Sequence, residues 1–81
     1  MNEQEIAMLV ARIKQQYGEV TAAQLNQTWI FVYAVTPAQE LIGVAETTEE
    51  AMQIVETYKQ TAASSVEGYF LRMLTLSTEG V

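Results

Sequence analysis

Two rhythms of apolar positions organise this chain. Ile6, Leu9, Val10, Ile13 and Tyr17 recur at three- and four-residue spacing and form one stripe of a helix over residues 2–17. Asn2 with Glu5 three residues later has the spacing of a capping box, and Gly18 suits the left-handed position after the last turn. The rhythm then changes to a period of two. From Thr28 to Val35 both alternating sets are apolar, with Trp29, Phe31, Tyr33 and Val35 on one side and Ile30, Val32 and Ala34 on the other. A strand that is apolar on both faces belongs in the middle of a covered sheet. Thr36-Pro37-Ala38-Gln39 reads as a turn, and Glu40–Ala45 returns as a second strand. Gly43 sits within it, where a bulge or a close approach is expected.

Thr47 with Glu50 opens a second helix, whose stripe is Ala51, Ile54, Val55, Tyr58 and Ala62, with Met52 widening one edge. This helix should fade near Ala63–Ser65, and Tyr69–Leu76 follows as a third strand. Residues 19–27 read either as a short helical turn capped by Thr21 with Gln24 or as a plain linker, with Val20 and Leu25 turned to the core. The reading is a single α+β domain over residues 1–81, with topology α-β-β-α-β and frayed ends near 1–2 and 77–81. The hairpin makes the first two strands antiparallel. A right-handed return through the second helix lays the third strand on the other side of the first. The expected sheet is therefore three-stranded, antiparallel and ordered 2-1-3, packed with two helices.

Composition removes chemistry more readily than it assigns it. The chain has no Cys, His or Asp; its ten acidic residues are all Glu, against four Lys and Arg, for a net charge of -6. Disulfides, thiolate or imidazole metal sites, cysteine nucleophiles and histidine bases are excluded. The acidic balance disfavours direct nucleic-acid binding, which needs clustered bases. The longest apolar run, Trp29–Val35, is seven residues, far below the ~20 that cross a bilayer. No basic apolar leader opens the chain, so the cytoplasm is the default expectation. The glycines are isolated and form no phosphate loop, and Ser64-Ser65 lacks a nearby base. No catalytic residue, metal or cofactor is assigned.

What remains is the apolar surplus. The third strand presents Tyr69, Leu71 and Met73 on one face and Phe70, Leu74 and Leu76 on the other. A face left bare by one helix must be closed by the first helix, by a second copy or by a partner protein, because large exposed apolar patches are unusual in monomers. Trp29, Tyr33, Tyr69, Leu71 and Met73 are the candidate interface residues. Arg72 is expected to pair with Glu40 or Glu46 across the sheet edge, with anion binding as the alternative. The functional expectation is a small acidic, non-catalytic protein-binding or regulatory module that forms a homodimer through an apolar sheet face. The alternative is an acidic inhibitor or nucleic-acid mimic acting on a nucleic-acid-binding protein through Glu46, Glu49, Glu50 and Glu56.

Overall fold

The computed structural model describes residues 2–61 and 66–76. The elements are α1 (Glu3–Tyr17), α2 (Ala22–Asn26), β1 (Thr28–Val35), β2 (Gln39–Ala45), α3 (Thr48–Thr61) and β3 (Gly68–Thr75). The sheet order is β2-β1-β3, and both pairings are antiparallel. Ala62, the expected helix end at Ala63–Ser65 and the expected frayed positions 1 and 77–81 lie outside the described residues.

The local signals act as physical stops and starts. Asn2 Oδ1 accepts from the Glu5 N–H at 2.8 Å while Glu5 Oε1 accepts from the Asn2 N–H at 2.9 Å, so two orphan donors of the first turn are satisfied reciprocally. Gly18 ends α1 at φ 83°, a left-handed conformation that costs glycine little. Thr21 and Gln24 form a second capping box, which resolves residues 22–26 as the helical turn rather than the linker. Thr47 Oγ1 accepts the Glu50 N–H at 3.2 Å at the start of α3.

β1 divides the core into two halves. On one face Trp29, Phe31 and Tyr33 meet Leu9 and Ile13 of α1, Leu41 and Val44 of β2, and Leu25 of α2. On the other, Ile30 and Val32 meet Ala45 of β2 and Ala51 and Val55 of α3. The sheet is thus sandwiched, with α1 supplying the second cover that β1 demands. The buried stripe of α1 differs from the expected one. Glu5, Leu9 and Ile13 face the core at i, i+4, i+8, whereas Tyr17 is 46% exposed. The Glu5 carboxylate on this buried line has its partners on the sheet, Tyr33 and Arg72.

A β-bulge shapes the contact with α3. Val32 pairs with Gly43 and Tyr33 with Leu41, leaving Ile42 as the extra residue of β2. The bulge brings Gly43 under Ile54, where an added Cβ would stand 2.8 Å from Ile54 Cγ2 and 2.9 Å from Cδ1. A methyl group there must push α3 away or force Ile54 off its rotamer. Gly43→Ala is therefore expected to lower stability by roughly 1–3 kcal/mol, read as a fall in the urea midpoint at unchanged slope.

Candidate functional site

Three regions hold the side chains with chemical potential: the outer edge of β2, a carboxylate beneath the sheet, and the strand β3. At the β2 edge, Arg12 leaves α1 and reaches around to the opposite face. Its Nε donates to the Val44 carbonyl at 3.3 Å, and its NH2 group lies 2.5 Å from Glu50 Oε2 on α3 and 3.9 Å from Glu46 Oε1. A further bond runs to Gln16. Glu46 also accepts from Tyr17 Oη at 2.6 Å and from Gln27 Nε2 at 3.2 Å. The Tyr17 hydroxyl holds the Glu46 carboxyl below the usual glutamate range, against the opposing effect of burial, with Gln27 and Arg12 adding to the effect. Arg12 thus ties α1 to α3 across the edge of the strand between them.

Beside this clamp, α3 overhangs β2 and leaves an open groove of about 450 Å³ lined by Ile42, Val44, Ile54 and Tyr58 among others. Tyr58 Oη donates to Glu40 Oε2 at 3.1 Å. The groove's charged groups, Arg12 and Glu50, already satisfy each other. Thr57 and Thr61 add hydroxyls to its lining, and among the described residues no group of three His, Cys, Asp or Glu could hold a metal ion.

Glu5 is the buried acid of the fold, only 1% exposed. Its Oε2 accepts from Tyr33 Oη at 2.5 Å and lies 3.5 Å from Arg72 Nη1. The Tyr33 ring in turn stacks on Phe70, with centroids 4.9 Å apart. Burial pushes the Glu5 carboxyl up, but the Tyr33 hydroxyl, the Asn2 N–H and Arg72 together hold it below its ordinary 4.5. Burial and the neighbouring Glu5 push the Tyr33 hydroxyl above its ordinary 10.0. Arg72 therefore pairs with Glu5, not with Glu40 or Glu46. The capping-box spacing of Glu5 was legible in the sequence. Its burial was not, because a capping carboxylate normally faces water and only the sheet supplies Tyr33 and Arg72.

The five candidate interface residues separate. Trp29 is fully buried, its Nε1 donating to the Gln24 carbonyl at 2.7 Å, and Tyr33 is buried over Glu5. Neither presents a surface to a partner in this fold. Tyr69, Leu71 and Met73 instead share the α3 side of β3, opposite Ala34, Val32 and Ile30 of β1. The described contacts of α3 fall mainly on β1 and β2. Tyr69 is partly sheltered by an edge-on contact with Tyr58 at 6.2 Å and by Lys59, 5.8 Å over its ring. Leu71 is half-buried, and Met73 is 65% exposed. Met52, 49% exposed, lies two helical turns before Lys59 and so on the same β3-facing flank of α3. Among the acidic candidates, Glu46 and Glu50 are engaged with Arg12, Glu56 lies 3.6 Å from Lys59, and Glu49 is exposed in the first turn of α3.

Comparison with family models, with curated proteins and with solved structures returned no match, so no role is carried over from a relative. Among the described residues no helix is long and apolar enough to cross a membrane.

The signs of the shifts set an acid limb. Glu5 and Glu46 have depressed values in the fold, so their stabilisation is complete above the ordinary 4.5 and is lost as pH falls through the folded values. Tyr33 has a raised value, so its contribution is complete below 10.0 and is lost as pH rises through the folded value. Tyr33→Phe leaves a buried Glu5 oxygen without its donor, an expected cost of about 1–3 kcal/mol at neutral pH. Glu5→Gln should flatten the acid limb without abolishing it, because Glu46 still titrates. Thermal melts between about pH 3 and about pH 7 check both, and an acid limb unchanged by Glu5→Gln would refute the assignment.

Proposed function

We propose that the protein is a small acidic, non-catalytic protein-binding or regulatory module of the cytoplasm that self-associates through the α3-side face of β3. The supporting observation is the unequal cover of the sheet. β1 is buried from Trp29 to Ala34, whereas Leu71 and Met73 lie on an edge strand beyond the main contacts of α3. Half-buried Tyr69 and Leu71 next to exposed Met73 combine an aromatic anchor with adaptable apolar side chains, a composition that suits an interface core. The carboxylates of Glu46, Glu50 and Glu56 are already matched within the chain, so a partner's bases would have to compete for them. This favours an apolar docking mode over mimicry of a phosphate backbone.

Sedimentation equilibrium from about 5 to about 500 µM is expected to show the 9.0 kDa chain passing to twice that mass. Met73→Glu should weaken this association by about tenfold or more, because a carboxylate would be buried without a partner. Raising salt should leave an apolar association intact, whereas one driven by surface glutamates would weaken as it is screened. A single 9.0 kDa species at every concentration would overturn the proposal.

A further inference from the structure

We infer, resting on the self-association just proposed, that a second copy docks along the outer edge of β3, antiparallel, with Leu71 on the two-fold axis. The two strands then join a pair of three-stranded sheets into one of six.

The two edges of the sheet are not equivalent. The β2 edge is interrupted by the bulge at Ile42, and its Val44 carbonyl already accepts from Arg12. Bulges and charged side chains are the usual means of blunting an edge. β3 has no bulge, and its one charged side chain, Arg72, is drawn to Glu5 on the α1 face. All eight residues from Gly68 to Thr75 pair with β1 without a break in register. The strand contains no proline and no acidic residue, and Arg72 is its one charge. Two chains of net charge -6 repel each other, so their closest approach is best made along a strip free of carboxylates.

Ladder alternation selects the groups that face outwards. The Val44 carbonyl points away from β1 to Arg12, so its partner Phe31 turns its own N–H and C=O towards β3. Phe31 lies opposite Arg72, which leaves the backbone groups of Tyr69, Leu71 and Met73 directed to the outer edge, where no further strand pairs among the described residues. A two-fold axis perpendicular to the sheet keeps each face on its own side, so the α3-side strips of the two copies meet side by side as one continuous apolar face, and it pairs residues symmetrically about a centre.

Among the registers centred on the middle of β3, the one on Leu71 is self-complementary. It sets Tyr69 against the partner's Met73, Leu71 against the partner's Leu71, and Phe70 against the partner's Arg72. The first pair is a sulfur–aromatic contact and the last a cation–π contact. Arg72 is half-exposed and keeps Glu5 as its counter-ion, so its guanidinium has a free face to offer the ring. Centring on Arg72 would oppose two like charges, which destabilises a cross-strand pair. Centring on Phe70 would put Met73 opposite Glu67, beyond the end of the strand.

The absence of cysteine from the chain makes a clean test. Leu71→Cys introduces a single thiol, and in this register two copies hold their Cα atoms about 5.5 Å apart, within the range a disulfide spans. Thr75→Cys is the control, because two such thiols would lie eight strand positions apart, about 27 Å at ~3.4 Å per residue. Under mild oxidation at a concentration where the wild-type chain is dimeric, Leu71→Cys is expected to cross-link at least about tenfold faster than Thr75→Cys. On the unmodified chain, the outward amides of Tyr69, Leu71 and Met73 should gain protection from hydrogen exchange as concentration rises. A wild-type dimer with equal cross-linking rates and unchanged exchange overturns the edge pairing and leaves self-association standing. A chain that stays monomeric at every concentration overturns both, including where the edge takes a strand of another protein.

Discussion

Burial of β1 on both faces is the constraint on which the rest of the structure depends. Trp29, Phe31 and Tyr33 point one way, and Ile30 and Val32 the other, so a single helix cannot remove this strand from water. The chain meets the demand with α1 and α2 on one side and α3 on the other. Each cover carries its own local specification. Asn2, Thr21 and Thr47 cap the three helices, and Gly43 clears the space that lets Ile54 approach the sheet. A domain of this size, with no cysteine to form a disulfide, relies on this double core to offset its ordering entropy.

The charged residues serve the same sandwich. Arg12 passes around β2 and links the helix on one face to the helix on the other through Glu50. Glu5 both caps α1 and binds Tyr33 and Arg72 of the sheet, so the start of the helix is coupled to β1 and β3. A buried carboxylate is a costly anchor, and its expense is reduced only because every oxygen has a donor. Such a group contributes orientation more securely than net stability. The acidic balance of the chain therefore describes, in large part, an internal network and the solvated faces of helices.

Closing β1 leaves the two edges in different states. β2 is bulged and clasped by Arg12, while β3 is regular and carries its apolar residues past the cover of α3. The proposed binding role is built on this asymmetry, with a backbone edge and an apolar strip as the proposed surface. The proposed function rests on this apolar strip of β3.

The element types and their order were readable in the chain because they depend on local rules. The change of apolar period at Thr28, the capping boxes, the left-handed glycine at 18 and the doubly apolar strand all act over a few residues, and together they required order 2-1-3. The roles of individual side chains depended on contacts between distant segments. Glu5 lies 28 positions from Tyr33, and Arg12 lies 38 from Glu50. No periodicity specifies that a capping carboxylate turns inwards, that Trp29 is sealed beneath α2 or that Arg72 finds Glu5 rather than Glu40. The sequence by itself determined that both faces of β1 must be covered. The tertiary structure decided that α1 and α3 do the covering and that this cover stops short of Leu71 and Met73 on β3, because two helices can shield two strands more fully than three.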